Sequence, residues 1–173
     1  ARARGGGAPA RLPGGALAVP HGDEVITVAN DRQSHFDLIV ATQDWHPVDH
    51  QSFAANHAGK QIGESVRVNG VTQILWPIHC VQQTHGADFA ASLRRERWAR
   101  DFQKGADREI DSYSGFFDNG RVKDTGLGAY LRQQGSDSVF LMGLATDYCV
   151  KYTALDAVSL GFRTHLILDG CRG

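Results

Sequence analysis

Cys149 is the residue whose position in this sequence most directly suggests chemistry. It follows the apolar run 139–144, which has the length of a buried strand, and it precedes apolar residues at helical spacing that end at Gly161. A thiol near a helix N-terminus feels the positive end of the helix dipole, which favours the reactive thiolate. Backbone N–H groups of the same turn have no helical partner and can hold an oxyanion. The sequence therefore predicts a nucleophile at Cys149, with a small buried hydrophobe as the alternative.

A second group of residues has the side chains that bind metal ions. Asp44 and His46 follow the apolar run 38–41 and are one residue apart, so in an extended segment their side chains point the same way. His79 lies on a proline-containing loop, and His50 could add a further ligand. Two imidazoles and a carboxylate suit zinc or iron(II), with positions open for water or substrate. The alternative is a set of loop histidines in ordinary hydrogen bonds.

Lys104 is the third candidate for chemistry. It is predicted to lie in a polar loop that precedes the aromatic segment 113–117. Such a lysine is usually solvated, but beside a cysteine it would stabilise the thiolate.

These side chains need a scaffold, and the hydrophobic pattern predicts alternating strands and helices. The predicted strands are 36–42, 71–75, 139–144 and 164–169, the predicted helices are 23–29, 87–97, 124–134 and 150–161, and 110–119 is an aromatic loop. A strand, a helix and a further strand at this spacing imply a right-handed parallel crossover and an α/β fold. Ligands of such sheets bind beyond the carboxyl ends of the strands, which is where the candidate residues fall.

Composition narrows the class of partner. The 173 residues suit one domain, and a formal net charge of −1 favours neither a nucleic acid nor an anionic membrane as partner. Three widely spaced cysteines indicate a reducing compartment rather than a disulfide framework. The sequence therefore predicts a cytoplasmic protein whose partner is a small molecule.

Several motifs, taken together, resemble one family of enzymes. They are Gly14–Pro20, Thr42–Pro47 with its Asp-Trp-His sequence, Trp76–Cys80, Lys104–Gly105, Asp111–Asp118 and Gly143–Val150. From Leu12 to Gly173 the chain resembles the nicotinamidase/pyrazinamidase branch of the isochorismatase-like cysteine hydrolases. The resemblance implies a three-layer α/β/α fold with a parallel sheet. It also implies hydrolysis of nicotinamide to nicotinate and ammonia through a thioester, with pyrazinamide as a further substrate and a place in NAD salvage.

The resemblance also implies roles for individual residues. Cys149 matches the nucleophile and Lys104 the triad lysine, while the backbone N–H groups of Ala145 and Cys149 match the oxyanion hole. The matched metal ligands are Asp44, His46 and His79, and His50 matches either a further ligand or a residue behind the ligands. Trp76, Leu144 and Tyr148 match substrate-binding positions, and Leu144–Ala145 matches a cis peptide bond. The implied metal is zinc, with iron or manganese as alternatives, and a homo-oligomer is compatible with the family.

The N-terminus departs from the family pattern. Residues 1–15 are rich in Arg, Gly, Ala and Pro where the family has its first, central strand. The family's acid/base aspartate falls on Gly6, and an aromatic residue of its pocket falls on Arg11. We therefore expect impaired catalysis and a sheet that lacks a strand. A wrong reading frame before Leu12 would account for this composition.

The expected organisation is an atypical segment 1–15 followed by one hydrolase domain over 16–173 that is incomplete at its C-terminus. Two other functions stay open at this point. One is a relative that binds a metal and nicotinamide without turnover, and the other is an amidohydrolase for another small heteroaromatic amide.

Overall fold

The computed structural model describes residues 8–173, which form short helices and strands joined by long loops. The helices are α1 (Glu24–Arg32), α2 (Leu127–Gln133) and α3 (Lys151–Ser159), and the strands are β1 (Ile39–Asp44), β2 (Ser65–Val68), β3 (Val71–Ile74), β4 (Trp98–Lys104), β5 (Ser138–Leu144) and β6 (Arg163–Arg172). Short 3-10 turns occupy Gln33–His35, Ala54–Asn56 and His85–Ala87, and a π-helical turn, Thr146–Val150, leads into α3. In these described residues, every helix is too short or too polar to cross a membrane.

Two parallel strand pairs carry the architecture. Strand β1 pairs with β4, and β5 pairs with β6, while β2 and β3 form a separate antiparallel hairpin. Helix α3 connects β5 to β6, which is the parallel crossover that the hydrophobic pattern predicts. The two parallel strand pairs and the helix that connects β5 to β6 confirm the α/β class.

The main hydrophobic core lies where α2 and α3 cover the strands. Its buried members are Phe102, Phe116, Leu127, Leu131, Val139, Ala157 and Phe162. Leu127 and Leu131 are one helical turn apart on α2, so a single face of that helix enters the core. Because this packing fixes β4 and β5, it also fixes the residues at their carboxyl ends.

Strands β1 and β5 each leave one edge without a partner strand among residues 8–173. Both strands line the same cavity, which has a volume of about 460 Å³ and largely apolar walls. Pro9 and Ala10 also line this cavity. Residues 8–15 form turns rather than a strand. Residues 1–7 of the predicted atypical segment lie outside the described residues, so the replacement of a first strand remains a prediction.

One predicted helix, 87–97, is wrong. The structure has turns there, followed by β4 from Trp98. Helix α1 binds the backbone of this segment: the Asn30 amide donates to the Ser92 carbonyl and accepts the Arg94 N–H, at 2.9 and 2.8 Å. Gln33 donates to the Arg94 carbonyl at 2.7 Å. The backbone groups of the segment are thus satisfied by α1 instead of by their own helical turn.

The polar loop predicted around Lys104 is also wrong, because Lys104 is the last residue of β4. Phe102 and Lys104 are both buried, while Gln103 between them is exposed, which is the alternation of a strand with one covered face. The parallel register places Asp44 of β1 opposite Lys104. A lysine is therefore delivered directly to the carboxyl end of the sheet.

Candidate active site

The candidate residues meet at the carboxyl ends of three strands. Asp44 ends β1, Lys104 ends β4, and Cys149 lies in the π-helical turn that follows β5. His46 and His79 approach from the loops that follow β1 and β3, and with Asp44 they offer ligand atoms within 4.8 Å of one another. The fold thus brings together five side chains from widely separated parts of the sequence.

Cys149 is a buried thiol with a lysine beside it. Its side chain lies in the first turn after β5, where the change from strand to helix aims it at the carboxyl end of β4. Lys104 Nζ lies 3.5 Å from Cys149 Sγ and donates to the Ser112 carbonyl at 2.7 Å. The peptide bond between Leu144 and Ala145, which the family resemblance implies to be cis, is cis in the structure.

Asp44 is a buried carboxylate between two cations. Lys104 Nζ lies 2.5 Å from Oδ1, and Arg11 donates to Oδ2 from Nη2 at 2.6 Å and from Nε at 3.1 Å. Burial alone would raise the pKa of Asp44, but the charges of Lys104 and Arg11 hold it well below its usual range. Burial opposes the charge on Lys104 as well, and Asp44 outweighs that cost and raises the lysine pKa. All three groups are therefore charged near neutral pH.

Two histidines point a free nitrogen toward Asp44. His46 Nδ1 is 2.8 Å from the Gly105 carbonyl, and His79 Nδ1 is 2.8 Å from the Pro77 carbonyl. Because a carbonyl only accepts, each Nδ1 carries the proton and each Nε2 keeps its lone pair. Burial lowers the pKa of His79 to about 4, so its ring is neutral at pH 7.

The same groups suit a divalent metal ion. Asp44 Oδ1 is buried and, despite the nearby ammonium group, has no properly oriented hydrogen bond in the described part of the chain. A carboxylate and two imidazoles are the donors that zinc and similar ions prefer. Carbonyl groups that orient the ligating rings, as those of Gly105 and Pro77 do, are typical of metal sites.

His50 has the opposite tautomer. The backbone N–H of Ser52 donates to His50 Nδ1 at 3.0 Å, which places the proton on Nε2. His50 lies with His46 and the Asp111 carboxylate in a second potential ligand group, yet in this tautomer its Nε2 offers no lone pair. His50 is fully buried and lies behind the ring of His46, with ring centroids 4.7 Å apart. This geometry favours a supporting role over ligation.

A second, smaller cavity of about 160 Å³ adjoins the histidines. Its aromatic walls are Trp76, Tyr113 and Tyr148, and the Trp76 indole N–H donates to the Tyr113 hydroxyl at 3.2 Å. Trp76 and Tyr148 meet edge to face, with centroids 4.9 Å apart. Ala145 lines this cavity too, whereas Leu144, Cys149 and Lys104 line the larger one.

Sequence reasoning missed three side chains of the site. Arg11 was placed only as a mismatch, Asp111 only within a motif, and Tyr113 only within an aromatic segment. Asp111 is buried 4.0 Å from His46 Nε2, and its Oδ1 accepts the Ser112 N–H. The density of aromatic and polar residues over 111–118 was the available signal for Asp111 and Tyr113, whereas nothing around Arg11 indicated a buried contact.

Comparisons with known proteins agree with this geometry. Residues 15–173 match the family model described as the isochorismatase domain. The chain is 48% identical over 164 residues to a nicotinamidase of Escherichia coli, covering 92% of this chain and 76% of that protein.

Solved structures are similar as well. A nicotinamidase/pyrazinamidase structure from Acinetobacter baumanii superimposes with a TM-score of 0.93 at 45% identity, covering 96% of this chain and 80% of that one. A pyrazinamidase of Pyrococcus horikoshii in complex with zinc gives a TM-score of 0.76 at 36% identity, over 96% and 82% of the two chains.

Proposed function

The chain belongs to the isochorismatase family, and we propose that it is a nicotinamidase, which hydrolyses nicotinamide to nicotinate and ammonia. One observation at the site supports this function most directly: Lys104 Nζ is 3.5 Å from Cys149 Sγ and 2.5 Å from Asp44 Oδ1. A single ammonium group therefore connects the nucleophile to the carboxylate of the metal-binding group. The aromatic cavity beside them is about the size that holds one benzene ring.

Asp44, His46 and His79 would hold a divalent ion, and we assign zinc because a similar pyrazinamidase binds it. The ion would supply a Lewis-acid contact for the pyridine nitrogen. Trp76 and Tyr148, which meet edge to face in the wall of the cavity, would contact one side of the ring and fix where the carboxamide points.

Cys149 carries the covalent step. Its sulfur forms a bond to the carboxamide carbon, and the electron pair of the C=O moves to oxygen, where the N–H groups of Ala145 and Cys149 stabilise it. The C–N bond breaks as the nitrogen gains a proton and leaves as ammonia. Water then cleaves the thioester and releases nicotinate with the free thiol. Lys104 stabilises the thiolate before it attacks the carboxamide and again when water cleaves the thioester.

We further propose that this chain turns over slowly. The proton of the thiol must reach the leaving nitrogen, and the family's aspartate for that transfer falls on Gly6. Asp44 is the carboxylate nearest to Lys104, but two cations and a metal ion would share it. A missing acid/base group lowers rates by about 10²–10⁴-fold.

An ammonia-release assay on nicotinamide and pyrazinamide tests the proposal. We expect weak turnover that disappears in Cys149→Ala and rises at least about 10-fold in Gly6→Asp. An aliphatic carboxamide of similar size should be a poor substrate, because it lacks the ring nitrogen and the aromatic contacts. Full activity of the chain as written would contradict the role of the missing aspartate.

One observation favours a second candidate, a relative that binds without turnover. Arg11 lines both cavities and stands between the aromatic cavity and Cys149, so it narrows the path from ring to nucleophile. Such a protein would bind nicotinamide equally well with and without Cys149, and no variant of residue 6 would release ammonia.

A further inference from the structure

Arg11 is a buried cation that the proposed reaction does not use. Its side chain is 20% exposed, and the exposed part faces the two cavities that it lines. Its Nε and Nη2 bind Asp44, and Nη2 also lies 3.7 Å from Cys149 Sγ. Within residues 8–173 its Nη1 has no hydrogen-bonded protein acceptor, so a residue that lines both cavities keeps an unused donor.

The net charge around Arg11 becomes positive when a metal ion binds. Arg11 and Lys104 contribute two positive charges, and Asp44 and Asp111 contribute two negative ones, so the buried cluster is formally neutral. A divalent ion held by Asp44, His46 and His79 would add two positive charges to these side chains. Excess charge in a buried site is costly unless an anion offsets it, and Arg11 lines the aromatic cavity where an anion could sit.

We propose that Arg11 makes the aromatic cavity a subsite for small aromatic carboxylates, so that the metal-loaded chain binds the acid more tightly than the amide. The inference rests on the proposed function in one respect, since the acid of this class is also the reaction product. The cavity volume of about 160 Å³ and its walls of Trp76, Tyr113 and Tyr148 select a single flat ring. Arg11 supplies the charge that distinguishes acid from amide.

The preference follows from the chemistry of the two ligands. A carboxylate accepts a charge-assisted hydrogen bond from the guanidinium group, and such bonds are about twice as strong as neutral ones. A carboxamide offers one neutral oxygen as an acceptor. Its NH₂ group is a donor, like the guanidinium N–H groups, so it forms no hydrogen bond to them. We expect the acid to bind at least about 10-fold more tightly. The product therefore remains bound and inhibits the next turnover.

The test is a set of calorimetric titrations with four ligands: nicotinate, nicotinamide, benzoate and benzamide. The zinc-loaded chain should bind each acid at least about 10-fold more tightly than its amide. The benzoate pair lacks a ring nitrogen, so it isolates the carboxylate effect from metal coordination. After zinc is removed by a chelator, the acid preference should fall, because the cluster then returns to neutrality.

Variants assign the preference to Arg11. In Arg11→Met the acid-to-amide ratio should fall to about 1, while amide affinity changes by less than about 3-fold. Arg163→Met is the control, since Arg163 forms an exposed ion pair with Asp137 at 2.7 Å. Arg11→Lys keeps the positive charge without the planar guanidinium group and should retain part of the preference. If Arg11→Met does not fold, the lysine variant and the zinc-free titration still test the assignment.

The inference is overturned if the zinc-loaded chain binds amides as tightly as acids, or if Arg11→Met leaves the ratio unchanged. Its failure is separable from that of the proposed function. Amide hydrolysis without an acid preference would reject the subsite and keep the activity. An acid preference that depends on Arg11, without ammonia release by the chain or by Gly6→Asp, would reject the activity and keep the subsite.

Discussion

Cys149 differs from the other two cysteines in the charges around it. All three are free and buried, but burial raises the pKa of Cys80 to about 12 and also raises the pKa of Cys171. Cys149 instead has Lys104 Nζ at 3.5 Å and Arg11 Nη2 at 3.7 Å. Two cations within 3.7 Å of its sulfur therefore set Cys149 apart from the other two buried thiols.

We therefore predict that iodoacetamide at pH 7.5 alkylates Cys149 before Cys80 and Cys171. Lys104→Met should slow this reaction at least about 10-fold, because it removes the nearest cation from a buried sulfur. Lys151→Met, at an exposed position two residues away, is the control and should leave the rate unchanged. Peptide mass spectrometry over a time course gives the three rates. Equal rates for the three cysteines would contradict the electrostatic difference.

Gly105 has a specific role in placing His46. It has a φ of +63°, and a Cβ there would lie 2.3 Å from His46 Cε1. Its carbonyl also accepts the Nδ1 proton that fixes the tautomer of that ring. The position of His46 therefore depends both on the absence of a side chain at residue 105 and on the carbonyl group of Gly105.

Gly105→Ala should accordingly weaken zinc binding at least about 10-fold and destabilise the fold. Gly135→Ala is a matched control, because Gly135 has a φ of +74° with no atom within 4 Å of the added Cβ. Both variants incur the cost of about 1–2 kcal/mol for a left-handed alanine. Only Gly105→Ala adds the clash, which we expect to cost about 2 kcal/mol more. Urea unfolding and zinc competition with a chelating dye measure the two effects, and equal losses in both variants would refute the contact.

At the level of elements, β1 and β5 share one feature: each has an edge without a partner strand within the described range. Both line the apolar cavity of about 460 Å³, and their carboxyl ends carry Asp44 and lead to Cys149. A strand running parallel to both would emerge where Pro9 and Ala10 line the same cavity. The small residues and arginines at positions 1–7 offer little apolar surface for that space.

We predict that replacing residues 1–7 with an extended apolar sequence of the same length, rich in Val and Ile, stabilises the protein. Pairing and burial along two strand edges should raise the free energy of unfolding by about 2 kcal/mol or more, after the cost of ordering the segment. A Ser/Thr-rich sequence of equal length is the control, because it has similar strand propensity without the apolar surface. Urea denaturation provides the comparison, and equal midpoints would show that the cavity does not accept a strand.

The elements also show where sequence reasoning works and where it does not. Strands β5 and β6 and helix α3 follow from local periodicity, because the residues that bury them are their own neighbours. The segment 87–97 has helical spacing, but the amides of Asn30 and Gln33 capture its backbone from a distant helix. Lys104 looked solvated because a single buried lysine in a strand gives no pattern of its own. In both cases a long-range contact outweighed the local signal.

For the whole molecule, the meeting of Asp44, His46 and His79 and the contact of Lys104 with Cys149 were predictable because family motifs fix their residue types. The contact between Arg11 and Asp44 was not, since it joins positions 33 residues apart through a segment without any period. The fold decides which charges share the buried cluster, and only the three-dimensional arrangement reveals that two cations flank one carboxylate. This cluster, together with the buried His79, should govern how the molecule responds to acid.

The metal-free chain should lose stability as the pH falls from about 6.5 to about 4. Burial lowers the pKa of His79 from 6.5 to about 4, so over this range the unfolded chain binds a proton that the folded chain excludes. The free energy of unfolding should therefore decrease by about 1.4 kcal/mol per pH unit, about 3 kcal/mol in all, and stay level above pH 6.5 for this group. Urea midpoints in the presence of EDTA at pH 7, 6, 5 and 4.5 measure the slope. His79→Gln should flatten it, whereas His35→Gln, at an exposed position, should not. Identical slopes in the two variants would show that the acid sensitivity arises elsewhere. In the zinc-loaded chain the loss of stability with falling pH should be steeper, because protons displace zinc from His79.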